Sequence, residues 1–222
     1  RQILHTDISK AAGARLEGNN GTMSGWIEYN IRAGERNFSP MEPFWPGLAR
    51  QFEFWVAFHH SCYYSKEDWT LDYDMDWHDV NKLAMLTLAY TPNNHLSYGA
   101  GFMPGNISRE ILVTPYTNYP GSNFVTRRTD SLPVQTAGSL EEAQAAEKVL
   151  YGRVTRNSRA VHYTFERGEA RLETSHPFRT PWYMPWVSRR AGTWMGGKNN
   201  APGPYGGKAS QDMKLWLEFN TI

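Results

Sequence analysis

Leu48-Ala49-Arg50-Gln51-Phe52-Glu53-Phe54-Trp55-Val56-Ala57-Phe58 alternates with period two. Phe52, Phe54, Val56 and Phe58 fall on one side of the chain, and Gln51, Glu53, Trp55 and Ala57 on the other. That pattern predicts a strand half buried against a core, because successive side chains of a strand point to opposite faces. On a helix the same apolar residues would spread round the axis. Burying the four-residue face contributes about 1.5–3 kcal/mol per large side chain, before the entropy of ordering is charged.

Residues 211–221 repeat the pattern, with Met213, Leu215, Leu217 and Phe219 inward and Lys214, Trp216, Glu218 and Asn220 outward. Residues 23–31 give a first strand, with Ile27, Tyr29 and Ile31 on one face. Residues 82–90 are apolar on both faces, as in a central strand covered on both sides. Residues 110–114 form a short strand that Pro115 should end, and residues 160–166 and 169–174 form a hairpin through Arg167-Gly168. Ser139 followed by Glu142 is a capping box, so a short helix is expected at about 139–151, inserted on the surface and stopping at Gly152. The sum is an all-β chain, a jelly-roll sandwich of about eight strands with long loops. Residues 1–22 read as an N-terminal arm and residues 23–222 as one domain.

Composition agrees. The 222 residues are 40% hydrophobic and 14% aromatic, with nine Trp, 13 Pro and 19 Gly. Aromatics in short runs between Gly/Pro turns favour sheets over a bundle. A net charge of +1 does not by itself imply nucleic-acid binding. The single cysteine, Cys62, excludes an intrachain disulfide. No apolar run approaches the ~18 residues of a membrane span.

Chemical motifs are weak. Asp72, Asp74 and Asp76 are spaced like the start of a calcium loop, but Trp77 stands where glycine is needed and Leu83 where glutamate is needed. They are weak metal candidates. His59-His60-Ser61-Cys62 has potential ligands but no zinc pattern, and a Cys62 nucleophile beside His59 or His60 has no third member. Gly99-Ala100-Gly101-Phe102-Met103-Pro104-Gly105 fails the dinucleotide-loop spacing and reads as a turn. No catalytic constellation and no cofactor site emerges, and the chain is expected not to be an enzyme. The outward aromatics Trp55 and Trp216, and the Pro-rich-loop aromatics Trp182, Tyr183 and Trp186, are interface candidates.

Three segments, in order, resemble capsid proteins of picornaviruses and related small RNA viruses, including insect picorna-like viruses. They are Pro46–Phe54 leading into Leu86–Pro92, Gly168–Phe178, and Lys208–Phe219. The resemblance implies a structural subunit of an icosahedral capsid, packed against like or related subunits in a virion assembled in the host cytoplasm. It implies weak contacts with packaged RNA, and loops facing outward where a host receptor would bind. A carbohydrate-active β-sandwich, either a polysaccharide lyase or a carbohydrate-binding module, is the alternative. Its motive is the Trp/Tyr content and His59, His60, Tyr63 and Tyr64 beside an acidic loop. A lyase would need a proton-abstracting Tyr or His facing a concave sheet, with Arg or Gln neutralising a uronate.

Overall fold

In the computed structural model of the chain, residues 25–40, 46–47, 49–65, 80–88, 96–118, 130–178, 188–195 and 208–222 are described. They form two antiparallel sheets of six strands each. The first runs in the order β1 (Ile27–Ile31), β12 (Met213–Thr221), β3 (Gln51–Phe58), β8 (Leu150–Arg156), β9 (Ala160–Arg167) and β10 (Ala170–Pro177). The second runs β2 (Pro46–Gly47), β11 (Ser188–Ala191), β4 (Asn81–Leu88), β5 (Ser97–Pro104), β6 (Glu110–Asn118) and β7 (Leu132–Gln135). The all-β sandwich is as expected. The strands number twelve, not about eight, because segments expected to be turns or loops are strands of the second sheet.

β3 is central to the first sheet, between β12 and β8. Phe52, Phe54, Val56 and Phe58 are fully buried and face the second sheet across the core, which includes Leu86, Tyr98, Phe102 and Val113. Phe52 stacks on Phe219 at 4.8 Å. Phe54 lies over Gly152 so closely that a Cβ there would come within 2.2 Å of its ring. Glycine at 152 is thus a notch for an aromatic ring, not the end of a helix.

The helix is shorter than expected. α1 (Leu140–Ala145) is capped by Ser139, whose Oγ accepts from the Glu142 N–H at 3.2 Å. The Glu142 carboxylate accepts from the Gly138 N–H at 2.7 Å. The chain turns away at Glu147 (φ 53), and Leu150 already belongs to β8. α1 is not a loose insertion either, since Ala143 is buried with Ala57, Ala137 and Trp216 on the outer face of the first sheet.

Residues 99–104 are not a turn but part of β5, between β4 and β6. A bulge in β4 between Lys82 and Ala84 accounts for the glycines. A Cβ on Gly99 would sit 2.0 Å from the Ala84 carbonyl oxygen, and one on Gly101 2.7 Å from that of Asn81. Glycine here permits close approach of two backbones. Nor does Pro115 end β6. It lies beyond Val113, the last residue paired with β7, and among the described residues no strand pairs with β6 on that side of Pro115, a position that tolerates proline. The expected hairpin is present, with Gly168 (φ 54) in its turn. The proposed arm, residues 1–22, lies outside the described residues.

Candidate functional site

The two sheets present very different outer faces. On the first sheet the outward row Trp55, Tyr151, Glu166 and Arg171 runs beside the row Glu53, Arg153, Thr164 and Glu173. Arg153 and Tyr151 both bond Glu53, the Tyr151 hydroxyl at 2.6 Å, and Arg171 bridges to Glu166 at 2.7 Å and to Glu173. Burial, and the Glu53 carboxylate that its hydroxyl serves, push the Tyr151 phenol up. Each cation here has its own carboxylate, and the arginines are about half exposed.

On the second sheet the outward positions form a separate buried cluster of Val80, Met85, Met103, Leu112, Tyr116 and Ala191, against which Trp194 packs. Thr87, Ser97 and Thr114 on the same face are also buried. Among the residues whose side chains are described, Lys82 is the cation on this surface. Lys82 is clamped through its backbone by Trp194, with its N–H donating to the Trp194 carbonyl at 2.8 Å and its own carbonyl accepting at 3.1 Å. On its other side it pairs with Gly101. Because residue 101 has no side chain, the lysine reaches diagonally across β5. Its ammonium lies 4.8 Å from the centre of the Tyr116 ring and donates to the Val80 carbonyl at 2.8 Å. Tyr116 is 2% exposed, whereas Lys82 is half-buried, so the ammonium is the member that reaches solvent. Among the strand residues of this sheet the one carboxylate is Glu110, which accepts from the Asn106 N–H in the β5–β6 turn. Among the described residues the face therefore combines a cation, a phenol ring and hydroxyl groups, without a carboxylate pair.

Few of the residues singled out from the sequence belong to this site. Asp72, Asp74, Asp76, Trp182, Tyr183 and Trp186 lie outside the described residues. Among the described residues no group of three or more His, Cys, Asp or Glu could hold a metal ion. Trp55 is half-buried, with its ring 5.1 Å from that of Tyr151. Trp216, expected outward as an interface contact, is 7% exposed because α1 packs on it, and its indole N–H donates to Glu28 at 3.2 Å. Its place is a small second core.

His59 and His60 also part company. His59 Nδ1 is 2.8 Å from Ser61 Oγ, and His60 Nδ1 is 2.9 Å from Thr136 Oγ1. Burial, His60 and Lys214 hold the His59 ring below its ordinary value. Cys62 is buried, donates to the Lys214 carbonyl at 2.8 Å, and has its thiol pushed up to about 12 by desolvation. A thiol in that state is no nucleophile at neutral pH.

A polar cleft of about 700 Å³ opens along the β1–β12 edge, lined by Asn30, Arg32, Glu35, His59, Asp212 and Lys214. Its charges cancel. Asp212 and Glu35 are occupied by the backbone N–H groups of Ala33 (2.8 Å) and Arg32 (3.2 Å).

Lys82 and Tyr116 were not singled out as chemistry from the sequence. A lysine opening an otherwise apolar strand, and a Pro-Tyr step kept in extended chain, were the only signals available.

No family model and no curated protein matches the chain. Solved structures do, and they define a class, the two-sheet antiparallel sandwich seen in carbohydrate-active enzymes. Alginate lyase Aly36B is similar at 13% identity over 94% of this chain and 88% of that one, with a TM-score of 0.52. A doubly substituted form of that enzyme, in complex with an alginate tetrasaccharide, is similar at 12% identity over 90% and 82%, also at 0.52. The laminarinase catalytic domain from Thermotoga maritima is a looser likeness, at 9% identity over 93% and 80%, with a TM-score of 0.45. At these identities the likeness establishes the fold. It also corrects two expectations. The two alginate lyase structures are of an enzyme of carbohydrate chemistry and not of viral subunits, so the capsid assignment is withdrawn. The expectation of a chain without enzymatic activity is withdrawn on the same finding.

Proposed function

We propose that the chain is a jelly-roll polysaccharide lyase acting on a uronate-containing glycan, with Lys82 and Tyr116 as its working pair. The observation that carries this is the Lys82 ammonium held over the Tyr116 ring on a face whose strands lack a carboxylate pair. Hydrolysis by a glycosidase calls for two carboxyl groups flanking the bond, about 5–9.5 Å apart according to mechanism. Elimination from a uronate calls for other groups. A base removes the proton next to the sugar carboxylate, a cation stabilises the enolate that develops, and the 4-oxygen leaves as the double bond forms. An ammonium suits the enolate, and the phenol beneath it suits the proton transfer once substrate binding uncovers the Tyr116 ring, which is 2% exposed here. The buried apolar neighbours Met85, Met103 and Leu112 make the surroundings dry, which strengthens that electrostatic contact.

The likeness to alginate lyases supports the same class of substrate. In the alginate lyase complex with a tetrasaccharide, a lysine and a tyrosine were each replaced by alanine. The first sheet's outer face is less suited to an acidic chain, because Glu53, Glu166 and Glu173 stand there against Arg153 and Arg171.

The test is incubation with alginate, pectate, hyaluronan and chondroitin, following the ultraviolet absorbance of the unsaturated product. Tyr116→Phe should lower kcat by about 10²–10⁴-fold, the usual contribution of general acid–base catalysis. Absorbance that rises equally with Tyr116→Phe would remove Tyr116 from the chemistry. Binding of an acidic glycan without any cleavage would make the chain a binding module.

A further inference from the structure

Directly behind Tyr116, on the core side of β6, the otherwise aromatic interior holds a chain of polar side chains. Tyr163 of β9 donates its hydroxyl proton to the Tyr116 carbonyl at 2.9 Å. The same hydroxyl lies 2.6 Å from Thr117 Oγ1, which lies 2.8 Å from His176 Nδ1 on β10. The final acceptor fixes the direction of the chain. A carbonyl can only accept, so Tyr163 gives its single proton to it and accepts from Thr117. Thr117 has then given its own proton and must accept from His176, which places a proton on Nδ1. The order is His176 Nδ1–H to Thr117, Thr117 to Tyr163, and Tyr163 to the backbone of Tyr116.

Tyr163, Thr117 and His176 are 1%, 4% and 4% exposed. His176 Nε2 is buried without a partner, and the His176 ring packs 5.0 Å from that of Tyr163. Valine, phenylalanine and leucine would fill this space without any polar group to satisfy, and a buried polar atom left unpaired costs about 1–3 kcal/mol. A polar chain kept here despite that cost, and ending on the backbone of one residue, is a device for holding that residue in place.

We propose that Tyr163, Thr117 and His176 are positioning residues for Tyr116. They lock its backbone from the core so that its ring is held beneath the Lys82 ammonium on the outer side of the second sheet. This rests on the lyase function proposed above and extends it to residues that touch neither substrate nor Lys82. Burial supports it, since desolvation keeps the His176 ring below its ordinary value and so in the neutral form that donates from Nδ1 alone.

The experiment uses Tyr163→Phe, Thr117→Val and the conservative Thr117→Ser, with two readouts. The first is the tyrosine ring signals of ¹³C-labelled, substrate-free protein, with Tyr116 assigned by difference from Tyr116→Phe. The second is kcat and KM on whichever polyuronate is cleaved. Expected are a moved Tyr116 ring signal and a kcat lower by about ten- to a hundredfold, with KM within about twofold, in Tyr163→Phe and Thr117→Val. Thr117→Ser should restore both. An unmoved Tyr116 signal in Tyr163→Phe and Thr117→Val would overturn the proposal, and so would an unchanged kcat. If no polyuronate is cleaved by the unaltered protein, the lyase function fails and the ring signals alone decide whether the relay holds Tyr116.

Discussion

The outer faces of the two sheets are made from the same kind of strand and have opposite chemistry. On the first sheet the outward arginines are met by carboxylates, Arg153 by Glu53 and Arg171 by Glu166 and Glu173, and both are about half exposed. Pairs of that kind contribute little to stability, and they leave neither arginine to spare for an acidic ligand. On the second sheet the surroundings are apolar and Lys82 is directed at an aromatic ring by its own backbone clamp. A charge held against an apolar surface interacts more strongly than one in open water.

The largest expected difference between the faces is catalytic. Tyr116→Phe should lower cleavage of the polyuronate substrate by about 10²–10⁴-fold. Tyr151→Phe, which removes the equivalent hydroxyl from the opposite face, should leave kcat within about twofold. Equal losses from both variants would mean that the faces do not differ in function.

Next in size is the contrast within the first face, between the end that α1 covers and the end left open. Trp216→Ala should destabilise by about 3–5 kcal/mol, since it empties the small core under α1. Trp55→Ala should cost about 1–2 kcal/mol, because part of that ring is already exposed. Denaturant midpoints distinguish the two. A Trp55→Ala loss as large as that of Trp216→Ala would make Trp55 a core residue.

Gly99→Ala probes the second sheet where its strands are closest. The new Cβ would meet the Ala84 carbonyl, a backbone atom that cannot swing aside, so a loss of about 1–3 kcal/mol is expected. Activity should fall with it, because β4 and β5 would separate beneath Lys82. Unchanged stability would show that the bulge in β4 can relax.

The smallest effect is pH dependence from between the sheets. Burial keeps the folded-state His176 ring below its ordinary value of 6.5, with Asp130 acting the other way. Below that pH the unfolded chain takes up a proton that the folded chain resists, so stability is present above it and declines as the pH falls. His176→Gln should flatten the decline of the thermal midpoint between about pH 6.5 and 5, leaving the part due to His59 and the carboxylates. A decline as steep as in the unaltered protein would place the titration elsewhere.

The same contrast explains how far the sequence could be read. β3 and β12 were legible because one face of each is buried and the other wet, so Phe52, Phe54, Val56 and Met213, Leu215, Leu217 stand out by alternation. β5 and β6 are buried on both faces and have no alternation to find. Gly99 and Gly101 therefore read as a turn, and Pro115 as a strand end, although both stretches run through the second sheet. Tyr116 sits on β6, and Lys82 opens β4, which is likewise buried on both faces, so the candidate site went unseen while the fold class was visible. Trp216 shows the converse. Its outward position was read correctly, but the helix that folds back over it is a tertiary event without a local signature.

The most direct measurement is product absorbance from a panel of acidic and neutral polysaccharides, taken with the unaltered protein, Lys82→Met and Tyr116→Phe. A lyase working through this pair gives unsaturated product from at least one polyuronate and none from neutral glucans. Tyr116→Phe then loses it by about 10²–10⁴-fold, and Lys82→Met loses it through kcat. Reducing ends released from a neutral glucan without unsaturated product, and undiminished in both variants, would contradict that assignment.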